Sequence, residues 1–149
     1  MLFRSRSIQD EGDRAHALHF ISYFAPKMNG ANFQELWKAS QSICKEYSRA
    51  GVLRHIGKIA GADLPLLLGA ANSIQSNLAR TEVLVGLAEV DISYLSNALV
   101  TALSIEVQWW IYQARYITIL LDIDGINHVE MLAAACSIRS EERRVGKEC

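Results

Sequence analysis

The clearest pattern in this sequence is an amphipathic run over residues 32–49. Apolar and small side chains recur there every three or four positions, as on one face of a helix: Phe33, Leu36, Trp37, Ser40, Cys44 and Tyr47. Asn32, followed three residues later by Glu35, matches a capping box at a helix start. Gly51 stands where a C-terminal glycine is common. The pattern predicts a helix over residues 32–49.

Short apolar or alternating segments around this helix predict strands. Four such segments occur, at residues 16–24, 52–60, 64–71 and 86–95. A helix is the alternative for residues 16–24, and residues 72–84 predict a second helix that begins at Asn72 or Ser73. The resulting order is strand, helix, strand, strand, helix, strand. It predicts an α+β, ferredoxin-like βαββαβ domain over residues 16–95.

A C-terminal extension over residues 96–138 follows this predicted domain. Its pattern predicts a short helix, two strands and a last helix, at residues 97–103, 105–113, 115–122 and 126–136. The order of strand, strand and helix repeats that of residues 52–84. The extension is therefore also a candidate for a partial second repeat.

The two ends of the chain resemble translated sequencing adapter. Residues 139–149, RSEERRVGKEC, match such a read-through over their whole length, and residues 2–5, LFRS, match one read from the opposite side. Segments of this kind are set aside when a fold is predicted. We expect residues 1–15 to be a non-native or disordered N-terminus and residues 139–149 to be an adapter-derived tail.

Composition narrows the class of function. Half of the 149 residues are hydrophobic and the net charge is −1, so the chain has neither the basic surface that binds nucleic acid nor the one that binds an anionic membrane. Charged residues interrupt every apolar run before it reaches the length of a bilayer span. Cys44, Cys136 and Cys149 have no metal-site spacing, and they indicate reduced thiols in a cytoplasmic protein.

Residues 51–61, GVLRHIGKIAG, resemble the second-strand segment of muconolactone isomerases and their relatives. The resemblance extends over about residues 18–95, with Ser73 at the start of that family's second helix and Asp91-Ile92 at the opening of its last strand. It implies an oligomeric enzyme that moves a double bond in a small lactone by proton transfer, without a cofactor. The partners expected are therefore a small-molecule ligand and further copies of the chain, in a homo-oligomer.

Arg54 and His55 are the matched residues whose chemistry suits such a reaction. An arginine can hold a substrate carboxylate through two parallel hydrogen bonds, and a histidine can transfer a proton near neutral pH. The family's first helix also carries a carboxylate, implied to be the acid or base, whereas Ala39-Ser40-Gln41 at this place has none. The alternative interpretation of Arg54 and His55 is an exposed pair on one strand.

Asp122, in the segment LLDIDG, supports a different interpretation. The segment resembles the first metal-binding motif of haloacid-dehalogenase-like phosphatases and the opening of GGDEF-type diguanylate cyclases. In both families an aspartate at a strand end holds Mg²⁺. The chain would then be a fragment of a signalling protein, with a sensor segment before the start of a cyclase domain. A polar turn after a strand explains Asp122 without a metal, and a sequencing-derived fragment without independent function is the third hypothesis.

Overall fold

The computed structural model describes residues 10–123, and every regular element in that range is a helix. In chain order the α-helices are α1 (Glu11–Ser22), α2 (Gly30–Ser40), α3 (Glu46–Ile56), α4 (Leu64–Ser73), α5 (Asn77–Val90), α6 (Leu95–Leu103) and α7 (Trp110–Leu121). Single 3-10 turns lie at Ala25–Lys27, Ile92–Tyr94 and Val107–Trp109. Helix α1 thus begins inside the predicted N-terminal segment of residues 1–15.

The predicted ferredoxin-like α+β fold is wrong, because residues 10–123 contain no strand. The segments predicted as strands at residues 16–24, 52–60, 64–71 and 86–95 fall mainly in α1, α3, α4 and α5. A short apolar run does not distinguish a strand from a buried helix by periodicity alone. Helix α5 is an example, since every residue from Val83 to Ala88 is buried and the run shows no polar face.

In the predicted C-terminal extension, too, helical elements stand where strands are predicted. The two strands predicted at residues 105–113 and 115–122 are replaced by a 3-10 turn and α7, so the sheet-based second repeat is wrong as well. The short helix predicted at residues 97–103 is confirmed as α6. The helix predicted at residues 126–136 lies outside the described residues. Both α6 and α7 pack on α5, and they share its core.

The helix predicted over residues 32–49 is two helices, α2 and α3. Asn29, rather than Asn32, caps α2, and the two asparagines exchange side-chain to backbone hydrogen bonds in a reciprocal box. The chain turns between Ser40 and Glu46, where the Glu11 carboxylate accepts hydrogen bonds from the backbone N–H groups of Cys44 and Lys45, at 2.8 and 3.0 Å. A carboxylate from α1 therefore binds the turn between α2 and α3, directly before α3 begins.

A glycine beside a short apolar run is typical of the end of an element, as at Gly51, Gly61 and Gly69. The structure gives these three glycines different roles. Gly51 lies inside α3 and Gly69 inside α4. Only Gly61, with φ of 78°, sits at a turn in the left-handed region that favours glycine. Gly51 lies beneath the His19 ring of α1, and an added Cβ there would lie 3.4 Å from His19 Nε2, which is an ordinary contact distance.

Helix α5 is the centre of the packing, with α3, α4, α6 and α7 around it. Its closest approach to α3 is at Gly86, where an added Cβ would lie only 2.5 Å from the Arg54 carbonyl oxygen and 2.8 Å from Arg54 Cα. Because Gly86 has no side chain, the α3 backbone at Arg54 rests directly on α5. This contact fixes where the Arg54 side chain can reach.

Within residues 10–123, no helix is both long enough and apolar enough to cross a bilayer.

Candidate functional site

Arg54 of α3 forms ion pairs with two carboxylates of α5. Its Nη1 lies 3.0 Å from Glu82 Oε1, and its Nη2 lies 2.8 Å from Glu89 Oε1. Glu82 and Glu89 are seven residues apart, so they lie on the same face of α5 two turns from each other. The arginine and Glu82 side chains are only 11% and 12% exposed, so this pair is largely removed from water.

Two further side chains complete what we call the ionic cluster, defined as Arg54, Lys58, Glu82, Glu89 and Tyr116. Lys58 Nζ lies 2.7 Å from Glu89 Oε2, and the buried Tyr116 of α7 donates a hydrogen bond to Glu82 Oε2 at 2.5 Å. The cluster holds two positive and two negative groups, and its formal charge is balanced. It ties α3, α5 and α7 together through polar contacts inside the core.

The pKa values of Glu89, Tyr116 and Arg54 keep these three groups in their hydrogen-bonding forms. Burial opposes the charge of Glu89, but the hydrogen bonds and charges of Lys58 and Arg54 together lower the pKa of its carboxyl. Burial and then the hydrogen bond to Glu82 raise the pKa of Tyr116 far above its usual value, so the phenol remains a donor. Burial also opposes the charge of Arg54, yet Glu82 and Glu89 raise the pKa of its guanidinium.

Arg54 and His55, predicted as a catalytic pair, lie on different sides of α3. Neighbouring residues of a helix point about 100° apart. Arg54 faces α5, where both of its Nη atoms are engaged by carboxylates. His55 faces α1, where its ring contacts those of His19 and Tyr23. The alternative of an exposed pair on a strand is wrong, since both residues are partly buried and helical, and their catalytic role stays a prediction.

His19, Tyr23 and His55 form what we call the aromatic cluster, between α1 and α3. Ring centroids lie 4.4 Å apart for Tyr23 and His55, 5.1 Å for His19 and Tyr23, and 5.4 Å for the two histidines. Burial, followed by the nearby His19, Lys58 and Arg54, lowers the pKa of His55 to about 4. Burial also lowers the pKa of His19. Both imidazoles are therefore neutral near neutral pH.

We expect this cluster to make the fold sensitive to acid through His55. Its pKa is about 4 in the folded chain, whereas the ordinary pKa of a histidine is 6.5, so between these two values the unfolded chain binds a proton that the folded chain does not. The stability that neutral His55 contributes is fully present above the pKa of His55 in the unfolded chain. It is lost as the pH falls toward the pKa of His55 in the folded chain. Because His55 is only half buried, solvent screening reduces the expected loss to about 1 kcal/mol between about pH 7 and about pH 5.

Urea unfolding of the wild type and of His55→Gln at both pH values measures this contribution. The wild type should lose about 1 kcal/mol more than the variant on acidification. An equal loss in the two proteins would show that His55 titrates normally in the folded chain.

The α1–α3 cavity, as we call it, opens beside both clusters and has a volume of about 190 Å³. It is lined by Ala15, His16, His19, Tyr47, Ser48, Gly51 and Glu82. Ala15 and Gly51 are buried and form its floor, whereas His16 and Tyr47 are exposed at its mouth. The cavity therefore joins solvent to an ion-paired carboxylate, Glu82, and to an imidazole of the aromatic cluster, His19.

Sequence patterns do not identify most of these residues. His16 and His19 are interpreted from the sequence as satisfied or exposed residues rather than metal ligands, and Glu82 receives no role. The one sequence feature that points to Glu82 is its position, together with Glu89, at the two ends of the run from Val83 to Ala88, which has no polar side chain. A carboxylate at such a position needs a partner when it is buried.

Asp122, the alternative metal ligand, follows a helix and not a strand. It is the exposed C-terminal cap of α7, next to a larger opening of about 940 Å³ lined also by Glu89 and Asp91. In the described range no three His, Cys, Asp or Glu side chains are grouped so that they could hold a metal ion. Asp124 and Gly125 of the same motif lie outside that range.

No family model, no curated protein and no solved structure matches this chain. The muconolactone isomerase and diguanylate cyclase interpretations therefore stay predictions of function. The strand implied for residues 51–61 by the first resemblance is wrong, since most of them belong to α3.

Proposed function

We propose that this chain binds a small polar molecule in the α1–α3 cavity. The observation that supports the proposal is a cavity of about 190 Å³ with a carboxylate, an imidazole and a hydroxyl on its walls, from Glu82, His19 and Ser48. Each water molecule occupies about 30 Å³ in the liquid, so the space equals roughly six waters. A ligand of roughly four to seven non-hydrogen atoms fits it.

The walls of this cavity are held in place before a ligand arrives. Glu82 is fixed by Arg54 and Tyr116, and His19 packs between Gly51, Tyr23 and His55. Polar groups that are already ordered lose little conformational entropy on binding, so a small ligand keeps more of its interaction free energy. This arrangement favours a binding site over a void left by imperfect packing.

In this proposal, Arg54 and His55 do not contact the ligand but hold the residues that do. Neither lines the cavity; Arg54 orients Glu82, and His55 supports the ring of His19. The proton transfer implied by the muconolactone isomerase resemblance is therefore not part of the proposal. An exposed free thiol at Cys44 favours a cytoplasmic protein, and the homo-oligomer stays a prediction.

Filling the cavity tests the proposal. Ser48→Leu places a larger side chain on its wall, without replacing a residue of the ionic cluster, and should abolish ligand binding. The matched control is Ser96→Leu, also near the start of a helix but exposed on α6 and not part of the cavity wall. The measurement is amide chemical-shift change in 15N-labelled full-length protein during titration with small alcohols, amines, amides and carboxylates.

We expect at least one compound class to shift the amides of Ala15, Ser48 and Gly51 in the wild type and in Ser96→Leu. The same compound should leave Ser48→Leu unchanged, at unaltered far-UV circular dichroism. Compounds that bind both variants equally, or none that shifts these amides in the wild type, would contradict the proposal.

A further inference from the structure

Glu82 gives the α1–α3 cavity a carboxylate on its wall. Among the described residues that line it, Glu82 is the one carboxylate, and no lysine or arginine side chain is present. Arg54 bonds to Glu82 and Lys58 bonds to Glu89, but neither cation is among the residues that line the cavity. A ligand in the cavity therefore meets the carboxylate without an intervening cation.

The effect of this charge reaches the opposite wall. Burial is the main influence on the pKa of His19 and lowers it, but among the charged groups Glu82 has the largest effect and raises that pKa. The opposing effects of His16 and Arg54 are each smaller. Among the charged groups that act on His19, the Glu82 carboxylate thus has the largest effect, even though Arg54 and Tyr116 bond to its two oxygens.

The remaining walls also suit a positive ligand. Tyr47 and His19 contribute ring surface, and aromatic faces attract cations through their quadrupole. Neutral His19 has a nitrogen lone pair, and the Ser48 hydroxyl oxygen is a second acceptor. A protonated amine supplies three N–H donors for such acceptors.

We infer that the ligand of the α1–α3 cavity is a small organic cation, a protonated amine whose ammonium group bonds to Glu82 while its short apolar part contacts Ala15 and Gly51. This inference rests on the proposed binding function and assigns the chemical class of its ligand.

Three probes of the same length and different charge test the inference: butylammonium, 1-butanol and butyrate. Amide shifts of the full-length protein near neutral pH give the dissociation constant of each. Butylammonium should bind about tenfold or more tightly than 1-butanol, because a charge-assisted hydrogen bond is about twice as strong as a neutral one. Butyrate should bind most weakly, since Glu82 repels it.

Glu82→Gln removes the charge and keeps the shape, so it should bring butylammonium and 1-butanol to similar affinities. Should this variant fail to fold, the comparison of the three probes on the unaltered protein still shows whether the cavity prefers a cation. Equal or tighter binding of 1-butanol or butyrate would overturn the cationic ligand but leave the binding function standing. If no probe shifts Ala15, Ser48 or Gly51, the proposed function fails, and the ligand class fails with it.

Discussion

Replacing Arg54 by methionine is expected to destabilise the folded chain by about 3–5 kcal/mol. The substitution keeps an unbranched side chain of similar length but leaves Glu82 without its ionic partner and takes one of two from Glu89. The Glu82 side chain is only 12% exposed, so water replaces the lost guanidinium poorly. Breaking a buried pair by removing one partner is costly because a buried charge is left uncompensated. Urea unfolding followed by far-UV circular dichroism measures the loss.

Lys58→Met is the matched control for Arg54→Met. Lys58 bonds to Glu89 as well, but its side chain is 32% exposed and Glu89 keeps Arg54 after the substitution. A partly exposed ion pair contributes about 0–1 kcal/mol, so the control should lose no more than that. Losses of similar size in the two variants would show that Arg54 is no more buried than Lys58, and that the ionic cluster is a surface feature.

Gly86→Ala is expected to lower the free energy of unfolding by about 1–3 kcal/mol. A Cβ at this position would lie 2.5 Å from the Arg54 carbonyl oxygen, 2.7 Å from Arg54 Cγ and 2.8 Å from Arg54 Cα. Two of these atoms belong to the backbone of α3, so relief requires α3 and α5 to move apart. The better helix propensity of alanine offsets only about 1 kcal/mol of the cost.

Gly69→Ala, at a matched position inside a helix, is expected to raise the free energy of unfolding rather than lower it. Gly69 lies inside α4, is exposed, and an added Cβ meets no atom within 4 Å. Only the helix propensity changes there, so the variant should be more stable than the wild type by about 0.5–1 kcal/mol. A stabilising Gly86→Ala would contradict the close packing of α3 on α5.

Local patterns predict the helix α6 and most of α2, because these elements show one apolar and one polar face. Phe33, Leu36 and Ser40 are predicted to lie on the inner face of the first helix, and all three are buried. The prediction fails beyond Ser40, where Cys44 and Tyr47 are exposed. A tertiary contact accompanies the failure, since the Glu11 carboxylate of α1 accepts hydrogen bonds from the turn between α2 and α3.

Glycine is the main reason that helices are predicted as strands. A glycine beside a short apolar run indicates the end of an element, and that inference holds at Gly61. Gly86 serves a different purpose, because the absence of a side chain lets the α3 backbone rest directly on α5. That use of glycine depends on residues far away in the chain, so a single sequence does not reveal it.

The candidate site depends on contacts between distant residues, and for that reason the sequence predicts little of it. The sequence singles out Arg54 and His55 through a resemblance, and both lie directly behind the cavity walls. It assigns no role to Glu82, whose partner Arg54 is 28 residues away, or to Tyr116, which is 34 residues away. The cavity exists because α1 crosses α3 near Gly51, a contact that local patterns do not contain.

The position of a bound probe shows directly whether the α1–α3 cavity is a binding site for a small organic cation. Nuclear Overhauser effects between the methylene protons of butylammonium and the labelled full-length protein show where the ligand lies. If the ligand lies in the cavity, we expect nuclear Overhauser effects to the Ala15 methyl group and to the Gly51 α-protons, both on the buried floor of the α1–α3 cavity. Effects confined to exposed aromatic residues such as Phe20, Phe24 and Trp110 would place the ligand on the outer surface and contradict the account.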